Sequence, residues 1–149
     1  MHYSDSQIER IGIAQFVRCL YREKIKIAVP DIDDGIDLIA YVDRDASHFR
    51  AVPLQLKCYR QFGFITDKKY LPIHGLKIAY LWHVENERSP RVFLMDYRDA
   101  ETIVDAHGWS RDKDGKYTRT KHTRPLEKAL VPYECNAFRP VLFPNSANC

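Results

Sequence analysis

Asp37, Gln55 and Lys57 are the side chains whose types and spacing could do chemistry together. A hard cation such as Mg²⁺ takes oxygen ligands at about 2.0–2.1 Å and keeps several of its waters. Asp37 offers a carboxylate and Gln55 an amide carbonyl oxygen. Lys57 offers an ammonium that could orient or activate a water, or stabilise charge growing on a phosphate. On residue type and spacing alone, a solvated strand end is the alternative to a cation site.

The three converge only if two strands hold them. Residues two apart in a strand share a face, so Gln55 and Lys57 point the same way while Leu54 and Leu56 anchor the opposite face. On the partner strand Asp37, Ile39 and Tyr41 share one face. A hairpin closing symmetrically about Ala46 sets Asp37 directly opposite Gln55, with Cβ atoms roughly 5 Å apart and Lys57 as the diagonal neighbour. A one-residue slip would undo this. Gly35 removes bulk just ahead of the first strand, where a substrate backbone could approach.

The surrounding pattern supplies such strands. Ser6 and Glu9 have capping-box spacing, and Ile8, Ile11, Phe16, Cys19 and Leu20 repeat near 3.6, which predicts a helix over 6–21. Strands are predicted over 25–29, 36–42 and 49–58, the last two as a hairpin; Pro30 ends the first, and Asp31, Asp33 and Asp34 read as turn residues. The stretch 61–72 reads as loop with short structure. Two apolar, aromatic-rich strands follow over 76–84 and 91–97, then a helix over 99–107 with Asp99 as cap and Gly108 as terminator, and a helical turn or two over 125–130. The tail after Pro132 reads as a surface wrap. No repeat or linker interrupts the chain, so the expectation is one α/β domain with a central mixed sheet, its early strands covered by the first helix.

Composition narrows the function classes. A chain of 149 residues, 45% hydrophobic and 29% charged, has the make-up of a globular protein with its own core. No apolar run approaches the roughly 20 residues needed to cross a bilayer, and the polar N-terminus lacks a signal pattern, so the expected location is cytoplasmic. Cys19, Cys58, Cys135 and Cys149 are scattered, which argues against a disulfide scaffold or zinc site and for free thiols. The six histidines have no H-x-x-x-H spacing and read as surface or packing residues.

Net charge is +3, and its distribution says more than its size. Arg60, Lys68 and Lys69 follow the suspected core. Arg111, Lys113, Lys116, Arg119, Lys121, Arg124 and Lys128 form a basic stretch nearer the C-terminus. Such residues suit phosphate binding by Coulomb attraction and counterion release. With Asp112, Asp114 and Glu127 interleaved, a solvated loop is the equal alternative. Tyr59, Phe62, Phe64, Tyr70, Trp109 and Tyr117 lie near these runs, as core aromatics or as stacking surfaces for bases.

The run Gly35-Ile36-Asp37-Leu38-Ile39, followed by Pro53-Leu54-Gln55-Leu56-Lys57, resembles the core motif of the PD-(D/E)XK nuclease superfamily. It is similar to an uncharacterised bacterial branch with a G-I-D-L strand and a Q-L-K strand, and the preceding helix, with Glu9 and Gly12, is similar to that branch's first helix. The likeness covers about a third of the chain. It implies a restriction-endonuclease-like core, Mg²⁺ or Mn²⁺ as cofactor, and hydrolysis of phosphodiester bonds in DNA, with RNA as the other substrate. By the same resemblance Asp37 and Gln55 are metal ligands, Lys57 is the catalytic lysine, and Glu9 joins the metal shell, with Gln15 as second choice. A homodimer is also implied. One departure is plain: Gln55 stands where most relatives carry an acid, which weakens charge-based metal affinity and keeps an inactive, nucleic-acid- or protein-binding domain as the alternative.

Overall fold

Ser4 starts the first helix, α1 (Asp5–Arg22). The computed structural model describes residues 2–43, 48–86 and 90–144. Ser4 Oγ accepts from Gln7 N at 3.3 Å while Gln7 Oε1 accepts from Ser4 N at 2.8 Å. The expected Ser6–Glu9 box is therefore replaced by one two residues upstream. The sequence holds two overlapping boxes, and the earlier one adds helix while keeping Ile8, Gly12, Phe16 and Leu20 on one buried stripe. Glu9 is thereby released from capping.

The main sheet has the order β1 (Lys26–Ala28), β2 (Leu38–Asp43), β3 (Phe49–Cys58), β5 (Lys77–Trp82), β6 (Arg91–Asp96). It is mixed: β3 and β5 are parallel and the other neighbours antiparallel. The β2–β3 register sets Leu38 opposite Leu54 and Asp43 opposite Phe49, the register expected of closure about position 46. Position 46 itself falls outside the described residues. Two strands are shorter than expected: β1 spans three residues before Pro30, and β2 begins at Leu38, after a bend at Gly35.

A parallel β3–β5 pair needs a long connection. That connection carries β4 (Phe64–Asp67) and a 3-10 turn at Lys68–Tyr70. β4 pairs with β7 (Lys116–Arg119) in a second, two-stranded sheet. The loop reading of this part of the basic stretch is corrected: Tyr117 is buried against Phe64, and that apolar pairing pulls Lys116 and Arg119 into a strand.

Alternation along the strands splits the apolar residues into two cores. Leu54, Leu56, Ala79, Leu81, Val92 and Leu94 face α1, with Ile8, Phe16 and Leu20. Ile78, Tyr80, Trp82, Phe93 and Met95 face α2 (Tyr97–Ala106), α3 (Arg124–Leu130) and the small sheet. Asp96, not Asp99, holds the N-cap position of α2; its carboxylate pairs with Lys77 at 2.8 Å and makes no cap bond. Gly108 ends that helix region at φ 63°, as its terminator role requires. Among the described residues, which end at Pro144, the C-terminal segment is not merely a surface wrap. Phe138, Leu142 and Phe143, around α4 (Arg139–Leu142), are buried in the α1-side core, and the Glu23 carboxylate accepts the Phe138 and Arg139 amides. Among the described residues no helix is long and apolar enough to cross a membrane.

A candidate cation site where β2 leaves β3

β2 runs beside β3 as far as Leu54, and from there β3 is held by β5 on its other edge. Asp37 stands at the parting. Its amide donates to Leu54 O at 2.8 Å, and its Oδ2 accepts from Leu56 N at 2.6 Å. The carboxylate thus stands in for the strand that is no longer there, leaving a second oxygen with its own lone pairs. Burial pushes the Asp37 carboxyl above the ordinary carboxylate range. The Leu56 amide and the Lys57 ammonium pull it back, while Asp33 and Glu9 push it further up. An ionised Asp37 is therefore short of positive charge.

Extending the register by one residue sets Asp37 opposite Gln55. Gln55 is only 2% exposed, and its Oε1 is buried with no hydrogen-bond partner. An orphaned buried acceptor costs about 1–3 kcal/mol. Lys57, half-buried, follows on the same face of β3.

Glu9 is carried to this place by the crossing of α1 over β3. At Gly12 the helix comes so close that a Cβ would lie 2.4 Å from Cys58 Sγ and 2.8 Å from Cys58 Cβ. One helical turn earlier, Glu9 bears on the Asp37 and Cys58 acidities as a neighbouring anion. Burial, then Glu9 and Asp37, push the Cys58 thiol up to about 12, which makes it a packing group and not a nucleophile at neutral pH. Gly12→Ala is expected to cost about 1–3 kcal/mol, measured by urea unfolding. Cys58→Ala in the same chain should restore part of it by removing Sγ.

The glycine ahead of β2 has a different role from the one expected. Gly35 has φ 99°, and a Cβ there would lie 2.3 Å from Tyr70 Cε1. The Tyr70 ring fills the space that a substrate backbone was expected to use. Asp33 is a turn residue, its Oδ1 accepting the Gly35 amide at 3.4 Å. Gln15 is committed elsewhere: its Nε2 donates to Val84 O at 3.3 Å.

The basic residues divide. Arg60 is engaged with Glu85 at 3.1 Å, His2 Nδ1 and the Tyr3 carbonyl, tying the N-terminal segment to the turn after β5. Lys69 lies 3.5 Å from Asp67 and over the Tyr70 ring. Arg119 donates to Tyr117 Oη at 3.2 Å. Lys68, Lys121 and Arg124 are exposed. Arg111 is a structural hub, pairing with Glu101 at 2.5 Å and Asp105 at 3.0 Å and bonding Gly115 O. Arg111→Ala would leave the buried Glu101 without its guanidinium, with only the Thr66 hydroxyl beside it, and is expected to cost about 3 kcal/mol near neutral pH. Burial already raises the Glu101 carboxyl, so the loss should shrink as pH falls and Glu101 takes a proton. Thermal unfolding across pH reads this.

Of the aromatics, Phe64 and Tyr117 are core residues, and Trp109 stacks between His107 and Tyr117. Cys19, Cys58 and Cys135 are free thiols, and Cys149 lies outside the described residues. Among the described residues no group of three His, Cys, Asp or Glu side chains is placed to hold a metal ion. A cation beside Asp37 would therefore draw on the Gln55 amide as well as on carboxylates. Comparison with protein-family models, curated proteins and solved structures finds no match.

Proposed function

We propose that this chain is a PD-(D/E)XK-type nuclease on a restriction-endonuclease-like core. It hydrolyses phosphodiester bonds in DNA, with RNA as the alternative substrate, and acts as a homodimer. The observation that carries the reading is the orphaned, buried Gln55 Oε1 on the stretch of β3 that Asp37 grips through Leu54 O and Leu56 N, the Asp37 carboxyl being raised by burial and neighbouring anions. Both deficits are met by one hard cation, Mg²⁺ or Mn²⁺. The order of elements agrees with the resemblance: helix with Glu9, strand, a second strand that Asp37 immediately precedes, then the Gln55-x-Lys57 strand.

Asp37 and Gln55 hold the cation, with Glu9 reaching in from α1. Such a cation supplies Lewis acidity toward a phosphoryl oxygen and lowers the pKa of water. Lys57 holds the attacking water or the developing phosphoryl charge by its ammonium. Exposed Lys68, Lys121 and Arg124 contact flanking phosphates, which makes affinity fall with salt.

Calorimetric titration with Mg²⁺ and Mn²⁺ tests the site. Asp37 must be ionised to bind, so binding should fade with acidification at a pH above the ordinary carboxylate range. The sign for stability runs the other way. A raised folded-state carboxyl favours folding below the unfolded pKa, and that advantage is lost as pH rises through the folded value. Asp37→Asn keeps an oxygen for the Leu56 amide. It should abolish cation binding yet match or exceed the wild-type cation-free melting temperature at neutral pH. Cation binding unchanged in Asp37→Asn would overturn the site. Salt-sensitive DNA retention with no cation response would favour the inactive binding module instead.

A further inference from the structure

A cavity of about 570 Å³ opens beside the candidate site. Cys58, which follows Lys57 on β3, lines it, and so does Ile8, which precedes Glu9 on α1. The cavity and the cation site meet at Cys58, on which α1 packs at Gly12, one turn from Glu9, and whose thiol feels the charges of Glu9 and Asp37. We propose that this cavity receives the nucleobase next to the scissile phosphate. The choice of a base rests on the nuclease reading.

The lining favours a flat, uncharged ring over a second phosphate. Ile8, Tyr59 and Phe62 give apolar and aromatic walls, and Gln61 and Thr120 add polar groups that suit the edge of a base. Phe62 is fixed in place by edge contacts with Trp82 at 5.3 Å and His83 at 4.8 Å, so that wall is rigid. The charges argue against an anion. Arg60 is already held by Glu85, and Asp5 contributes a carboxylate at the rim. A base can enter such a pocket only when it is out of a duplex stack, so the substrate is single-stranded or has an extruded nucleotide at the cut.

Amide chemical shifts of the full-length protein test this without cleavage. The probes are adenosine 5′-monophosphate, thymidine 5′-monophosphate and ribose 5-phosphate, with a parallel Mg²⁺ titration. Both nucleotides should shift Gln61, Phe62 and Thr120, and ribose 5-phosphate should not. Thr120→Trp, which fills the mouth, and the milder Gln61→Ala should each weaken nucleotide binding, roughly tenfold for the former. Equal shifts from ribose 5-phosphate, or none from either nucleotide, would overturn the proposal. Nucleotide binding without a Mg²⁺ response at Asp37 and Gln55 would keep the pocket and sink the nuclease reading. The reverse would sink the pocket alone.

Discussion

Lys57→Ala is expected to lower metal-dependent cleavage of supercoiled plasmid by about 10²–10³-fold or more, the cost of removing a preorganised group from a charged transition state. Folding and DNA retention should stay near wild type. The side chain is half-buried at the open edge of β3, while the neighbouring Leu54 and Leu56 do the packing on the other face. Removing the ammonium also removes a charge that pulls the Asp37 carboxyl down, so cation binding should retreat to higher pH. Lys57→Arg separates the two roles. It keeps the charge beside Asp37 but cannot release a proton, so it should restore the pH range of cation binding and not the cleavage rate. Equal nicking by wild type and Lys57→Ala in both Mg²⁺ and Mn²⁺ would make the binding module the better reading.

The β2–β3 hairpin was readable from residues alone because its two faces differ. Leu38, Ala40, Val42, Leu54 and Leu56 demand one side, and one register satisfies all of them. Local signals with two solutions misled. Ser4–Gln7 and Ser6–Glu9 have the same spacing, and only the helix's packing against β3 selects between them. Partners distant in sequence were invisible: β4 finds β7 across some fifty residues, and Phe138 and Phe143 return to a core begun by α1. Proline and asparagine in that tail spoke for a loop, but its apolar spacing carried the structural information.

The candidate site divides the same way. Residue types and register set Asp37 opposite Gln55, whereas burial did the rest and left no local trace. Nothing in the sequence marks Gln55 as a 2%-exposed side chain, or tells that Asp37 spends one oxygen on the Leu56 amide. Gly12 was a signal that could be read further. A glycine in the middle of a helix costs about 1 kcal/mol relative to alanine and calls for a close approach, here to Cys58. That approach brings the exposed Glu9, one turn away, near enough for its charge to bear on Asp37.

Gln55→Glu carries the largest expected effect on stability. The substitution places a carboxylate at a buried position opposite Asp37, with no hydrogen-bond donor waiting for its oxygen. An uncompensated buried charge costs about 3–5 kcal/mol, or the group stays protonated with a strongly raised pKa. Either way the folded-state carboxyl lies above its unfolded value. The variant should match wild type below about pH 4, the unfolded carboxylate range, and lose stability as pH rises. A cation that binds only the folded state adds back about 2.7 kcal/mol at a hundred times its dissociation constant. Thermal unfolding in EDTA and in Mn²⁺, at pH 5 and pH 8, should therefore show a deep loss at pH 8 that the cation reverses. The shift on adding cation should exceed that of wild type, because the added carboxylate strengthens a charge-held site. A variant that is destabilised at pH 8 and indifferent to Mg²⁺ and Mn²⁺ would mean that the orphaned amide is a packing flaw and that no cation binds there.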